Sequence, residues 1–206
     1  MTGIEHIVYG LLWLSFGTIH SLLAEASVKD RLRPLFGRGY RLAYNLFACL
    51  HIALVVVAGR YLLAPSLSGF EWPPIIHLAL AMAMWLGIVV MAVALFQYDL
   101  GRFSGLTQFS ASTGHENDAE TEPMHVSGLH RYIRHPLYAG AYLFLWGGVR
   151  NEIDLATALW GSLYLAIGTH FEGRRLVTVY GNDYVAFRNR VPALVPWRRP
   201  YRPSND

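Results

Sequence analysis

Three runs of the chain, residues 4 to 24, 40 to 63 and 74 to 97, stay apolar long enough to cross a lipid bilayer as helices. A hydrocarbon core of about 30 Å takes roughly 20 residues at the helical rise, and an open strand there would leave its N–H and C=O groups unpaired in lipid. The chain is therefore predicted to be all-α and embedded in a membrane. Its charged fraction of 15% agrees, because soluble domains carry roughly 25%. Two shorter runs, 137 to 149 and 153 to 170, are separated only by Arg150, Asn151 and Glu152 and read as a tight helical hairpin. The expected fold is an integral membrane bundle of about five transmembrane helices. It forms a single domain over residues 1–206 and ends in a cytoplasmic-side amphipathic helical tail.

Orientation follows from lysine and arginine, which stay on the cytoplasmic side during insertion. In a five-span arrangement all but Arg60 and Arg150 fall on one side, in the loop 29 to 41, the loop 98 to 136 and the tail after Glu172. The N-terminus is thus expected outside and the C-terminus inside. The same distribution argues against a nucleic-acid partner despite the net charge of +3, since the basic residues punctuate apolar runs instead of lining one face. The opening MTGIEH lacks the basic flank of a signal peptide and is expected to remain in the mature protein. A lone cysteine, Cys49, offers neither a disulfide framework nor a cysteine metal site, and no metal is expected. The acidic, aperiodic stretch 110 to 122 reads as a mobile cytoplasmic loop. Gly37 and Gly39 follow no strand, so they are no dinucleotide fingerprint.

The segment Gly128–Gly140, GLHRYIRHPLYAG, combines charge, imidazole and a helix start at the edge of an apolar run. Proline favours the first helical turn and drives its predecessor toward extended backbone, so His135 is expected extended and Pro136 is expected to open the helix. Such a helix start presents N–H groups without intrahelical partners, which can hold a carboxylate or phosphate. Arg131 and Arg134 would reinforce that anion site, or would simply snorkel to lipid phosphates as an anchor. Spacing leaves both readings open.

A second segment begins where the last apolar run ends. Glu172, close to His170, Arg174 and Arg175, is costly at the end of a membrane helix unless paired, and is a site candidate on that ground. Beyond it Leu176, Val179 and Tyr180 recur at helical spacing, Gly181 can close that helix, and Tyr184 with Phe187 marks a second short turn. An amphipathic tail lying on anionic lipid would show the same pattern. Histidines on different helices could also ligate haem through two imidazoles. Of His20, His51, His77 and His170, only His20 and His170 share a depth by helical rise, and a hydrogen-bonded helix-end histidine is the commoner explanation for each.

Taken in order, Gly128–Gly140, Glu172, Leu176, Gly181, Tyr184, Val191, Pro192 and Pro196 resemble the isoprenylcysteine carboxyl methyltransferase and phospholipid methyltransferase superfamily over roughly the last 80 residues. The N-terminal half, through Ile19–Ala24, Val28, Lys29, Tyr40–Asn45 and Asp99–Gln108, is similar to the NnrU-type and methanethiol S-methyltransferase branch. The resemblance implies methyl transfer from S-adenosylmethionine without a Rossmann domain. Carried over by position, it implies cofactor contacts at Met124, His125, His130, His135, Pro136, Leu137 and Tyr138, with Glu172 and Arg134 at the reacting end. The acceptor would be a small thiol or a lipophilic molecule in the membrane, and the location a bacterial inner membrane with the active site facing the cytoplasm. Three positions depart from the superfamily pattern: Gly173 replaces a second acidic residue, His130 an aromatic one, and Gly168 an arginine used on the acceptor. The same branch resembles a haem-binding carotene isomerase, and a non-catalytic membrane factor of nitrogen-oxide metabolism is a further alternative.

Overall fold

The structure, a computed structural model, describes residues 2–63, 68–110, 124 and 126–201. Every regular element among them is helical. The main helices are α1 (Gly3–Ala24), α2 (Ala26–Phe36), α3 (Tyr40–Val57), α4 (Pro74–Leu95), α5 (Leu100–Ser104), α6 (Leu106–Ser110), α7 (Pro136–Gly147) and α8 (Glu152–Arg190). Three stretches, Gly3–Ala24, Ala26–Tyr61 and Pro74–Leu95, are long and apolar enough to cross a membrane. By contrast α7 has 12 residues, about 18 Å of helix against a core of about 30 Å. Most of the stretch expected to be a mobile loop, residues 111–122, lies outside the described residues, whereas Ser110 ends α6.

The described residues group into two compact units. The first draws on Met1–Phe70, Asp99–Asp118 and Arg150–Trp160. Its α1 starts with a capping box in which the Thr2 hydroxyl accepts from the Glu5 N–H at 3.3 Å and the Glu5 carboxylate accepts from the Thr2 N–H at 2.6 Å. Tyr9, Trp13 and Phe16 recur at helical spacing and are buried. The loop expected over 29 to 41 is instead largely α2, an amphipathic helix that keeps Val28 and Leu32 half-buried and its charges in solvent. Polar contacts knit the N-terminal motifs together. Tyr40 donates to the Leu23 carbonyl at 2.6 Å, Tyr44 meets His20 Nε2 at 2.8 Å, and Asn45 donates to the Phe103 and Ser104 carbonyls at 3.1 and 3.0 Å. Arg60, past the end of α3, pairs with Asp154 at 2.9 Å.

The second unit comprises Glu71–Tyr98, Ala119–Val149 and Gly161–Asp206. Here α4 and α7 approach backbone to backbone along Gly87, Gly140 and Gly147. A Cβ at Gly87 would lie 2.5 Å from the Phe144 nitrogen, and one at Gly147 would overlap the backbone of Met84. Small residues take this role in membrane helix pairs because dispersion at close approach replaces the hydrophobic driving force that lipid removes. Gly147→Val is accordingly expected to cost about 1 to 3 kcal/mol through overpacking against an immovable backbone. Thermal unfolding in detergent should show a lower midpoint, and an unchanged one would mean that the seam opens freely.

α7 is joined to α8 by side chains at one level. Tyr142 donates to the Ser162 carbonyl at 3.0 Å and the Trp146 indole N–H donates to the Ser162 hydroxyl at 2.9 Å. At Gly181 the backbone takes φ +58°, outside the helical region, so α8 breaks there as the glycine predicts. The final turns then bury Tyr184, Phe187 and Val191 against Met124, Val126, Leu176, Val177, Tyr180 and Tyr201. The apolar face of the tail thus packs on protein.

Candidate functional site

The site is built where the lead into α7 meets the end of α4 and the tail. Gly128 adopts φ +55°, and a Cβ there would lie 2.5 Å from the Gln97 side-chain oxygen. That close approach lets Gln97 accept from the Leu129 N–H at 3.1 Å and starts the turn Gly128–Arg131. The turn buries His130, whose Nε2 lies 3.0 Å from the Tyr98 hydroxyl. Burial, and then the negative charge of Glu172, push the Tyr98 phenol above its ordinary pKa, so it remains a neutral hydrogen-bonding group.

Beyond the turn the chain is clamped by the tail. The N–H groups of Arg134 and His135 donate to the Pro192 and Ala193 carbonyls at 2.9 and 3.1 Å. Arg131 Nε donates to the Tyr201 carbonyl at 3.0 Å, and the Tyr201 N–H returns a bond to the Arg131 carbonyl at 2.8 Å. With both termini of this segment fixed, His135 sits at φ −125° and ψ 66°, non-helical as the following proline requires, though less extended than predicted. Pro136 is the first residue of α7, and the first intrahelical bond runs from the Ala139 N–H to the His135 carbonyl at 2.9 Å. Leu137 and Tyr138 therefore point N–H groups out of the helix start with no partner inside it. Arg134, two residues ahead of α7, has a buried Nε without a hydrogen-bond partner. A helix start with N–H groups unpaired inside the helix carries the positive end of the helix dipole, which suits an anion.

Glu172 reaches this place from α8. Its Oε2 lies 3.4 Å from His135 Nδ1, ion-pair distance but long for a hydrogen bond. The His135 side chain is only 5% exposed and stacks on Tyr138 with ring centroids 5.5 Å apart and planes 9° from parallel. Burial pushes the Glu172 carboxyl up, but the contact with His135, the Tyr138 hydroxyl and the charge of Arg175 outweigh it and hold the group below the ordinary carboxylate range. By linkage, a carboxylate with a depressed pKa stabilises the folded state at neutral pH, and that contribution disappears only in acid, as pH falls through the lowered value.

The structure brings His135, Tyr138 and Glu172 into contact; His130, Arg134, Pro136 and Leu137 belong to the same unit, Met124 packs on the Tyr184 cluster of the tail, and His125 lies outside the described residues. The pairing of Glu172 differs from the sequence expectation. Its near contact is His135, with Arg175 acting at longer range, and not the neighbouring His170 and Arg174. Gln97 and Tyr98, which close the third apolar run, were not among the predicted site residues; their only signal was a polar pair at the end of a span. Of the histidines weighed as haem ligands, His20 meets Tyr44, and His51 Nε2 lies 3.2 Å from the Ser15 hydroxyl.

Fold and site together define an all-helical membrane protein that carries a buried imidazole and a half-buried carboxylate beside a helix start. The NnrU protein family model matches residues 8–149. The chain belongs to the NnrU family, in the branch that holds the methanethiol S-methyltransferases. Methanethiol S-methyltransferase 2 of Bradyrhizobium diazoefficiens is 30% identical over 205 residues, covering 93% of this chain and 74% of the relative. Methanethiol S-methyltransferase 1 of the same organism is 27% identical, with 95% and 68% covered. The Mycobacterium tuberculosis methanethiol S-methyltransferase is 26% identical, with 94% and 79% covered. No solved structure matches the chain.

Proposed function

We propose that the protein is an integral membrane methyltransferase that uses S-adenosylmethionine and methylates a small thiol. The observation that carries this reading is the helix start of α7. The N–H groups of Leu137 and Tyr138, which have no partner inside the helix, and the orphaned Nε of Arg134 form a receptor for a carboxylate, with the buried His135 and the half-buried Glu172 alongside. Those residues fit the cofactor chemically. Its amino-acid carboxylate matches the helix start and Arg134, and its flat base has Met124, His130 and Tyr138 available for packing. When bound, the cofactor supplies a methyl group made electrophilic by a sulfonium. The small-thiol acceptor comes from the names of the relatives. In this reading the N-terminus lies outside and the site at the cytoplasmic face of a bacterial inner membrane, which the skew of lysine and arginine supports.

The residues contribute mainly by position. Alignment of a nucleophile behind the methyl group is worth many orders of effective molarity, and a helix start clamped by the tail supplies a rigid frame for it. Titrating S-adenosylmethionine and S-adenosylhomocysteine into detergent-solubilised protein should show saturable binding, and added methanethiol should yield dimethyl sulfide. Arg134→Ala is expected to weaken cofactor binding by about 1.5 to 3 kcal/mol, the range for a hydrogen bond to a charged group. Absence of binding by the intact chain would remove this function, and unchanged affinity in the variant would move the carboxylate site elsewhere.

A further inference from the structure

A thiol reaches neutral solution mostly protonated, since its pKa lies near or above about 8.5, and only the thiolate is strongly nucleophilic. A site that methylates thiols therefore gains from a base. Glu172 is poorly suited to that task, because its surroundings hold its carboxyl below the ordinary range. Its neighbour has a different set of contacts. His135 turns Nδ1 to the Glu172 carboxylate at 3.4 Å, and Nε2, on the other side of the ring, is buried with no hydrogen-bond partner. A buried polar atom without a partner is costly and marks a place a ligand can complete.

We propose that His135 Nε2 is the base that takes the proton of the thiol acceptor, and that Glu172 is the positioning residue that keeps the Nδ1–H tautomer facing it. The inference rests on the thiol-methylating function above and reassigns His135 from the cofactor to the acceptor. A carboxylate on one imidazole nitrogen makes the other a lone-pair acceptor and stabilises the imidazolium once the proton arrives. In the step, the S–H proton moves to Nε2 and its electron pair stays on the thiol sulfur. That sulfur bonds to the methyl carbon as the carbon's bond to the sulfonium breaks, the pair leaving with the sulfonium sulfur. The imidazolium then returns its proton to solvent. Among the described residues, the ionisable groups around the pair include Arg134, next to His135 in the chain, Tyr138 on α7, Tyr98 after α4, His130 on the turn, and Tyr164 and Arg175 on α8.

The test compares two acceptors in the full-length protein, an alkanethiol and an arenethiol that is largely ionised at neutral pH. His135→Asn, which keeps an N–H for Glu172 but has no base, is expected to slow transfer to the alkanethiol about 10²-fold, within the range for a general base. Its effect on the arenethiol should stay below about tenfold, with S-adenosylhomocysteine affinity kept within a few-fold. Equal losses on both thiols would overturn the base, and a loss of S-adenosylhomocysteine affinity beyond tenfold would return His135 to the cofactor. Nitrogen-15 NMR of histidine-labelled protein reads the tautomer without turnover: a protonated Nδ1 and bare Nε2 at neutral pH, lost in Glu172→Gln, are expected. A protonated Nε2 in the native chain would sink the pairing. Binding of cofactor with no methylation of either thiol by the native chain would instead overturn the proposed acceptor class, while the NMR result still judges the pair.

Discussion

Glu172→Gln is expected to slow methyl transfer to an alkanethiol by about 10²-fold, matching His135→Asn, within the range general acid–base catalysis spans. The reason lies in the tautomer. A carboxylate can only accept, so it selects Nδ1–H and leaves Nε2 with its lone pair. An amide in the same place can turn its NH₂ toward Nδ1, which moves the proton to Nε2 and removes the base altogether. Molecules that keep the Nε2 lone pair lack the charge that offsets the imidazolium as it forms. Both effects act on the proton and not on the cofactor, so S-adenosylhomocysteine affinity should change little. Raising the pH should shrink the deficit, because solvent then ionises the thiol without help. Wild-type turnover in the variant, with binding intact, would leave Glu172 a purely structural partner of His135. A deficit that stays constant with pH would point to acceptor orientation as its role.

That pair also marks where the sequence stops being legible. The long apolar runs 4 to 24 and 74 to 97 coincide closely with α1 and α4, since burying a backbone in lipid leaves helix as the only choice. Pro136 begins α7 and Gly181 breaks α8, both local effects of one residue on its own backbone. Glu172 was recognised as a membrane-edge charge needing a partner, but the sequence placed it among His170, Arg174 and Arg175. On a helix, residues two apart do not face each other, so His170 and Arg174 point elsewhere, and Arg175, three along, is the one whose charge reaches it. The close partner comes from a different element, and no local spacing encodes that. The tail shows a related limit. Tyr184, Phe187 and Val191 lie on one apolar face, yet periodicity cannot say whether such a face meets lipid or protein; here it meets Met124, Val126 and Tyr201. The segment 29 to 41 reads as a loop because it lies between two apolar runs, yet charges on one side of a short amphipathic helix are equally well solvated.

Removing the chain from Val191 onward is expected to abolish cofactor binding, a loss of at least about 10³-fold. The site does not hold itself together: the N–H groups of Arg134 and His135, and both the carbonyl and Nε of Arg131, find their partners in Pro192, Ala193 and Tyr201. Four bonds at about 1 kcal/mol each amount to roughly 4 kcal/mol of local order, and 1.4 kcal/mol is a factor of ten in affinity. The truncation also strips Val191, which is 1% exposed, and the Tyr201 ring from the cluster around Phe187. Without the clamp, the lead into α7 is free to sample other backbone angles. Arg134 and His135 then no longer stand at fixed places beside the helix start, so the alignment that methyl transfer needs is lost before the chemistry begins. Trp197→Ala serves as the comparison, because that side chain is 69% exposed and its removal should leave affinity unchanged. The helices that can cross the membrane do not depend on the tail, so the truncated chain should still insert and show native helix content by circular dichroism. Retained S-adenosylhomocysteine binding in that inserted, helical truncation would show that the helix start alone forms the site and that the tail is dispensable to it.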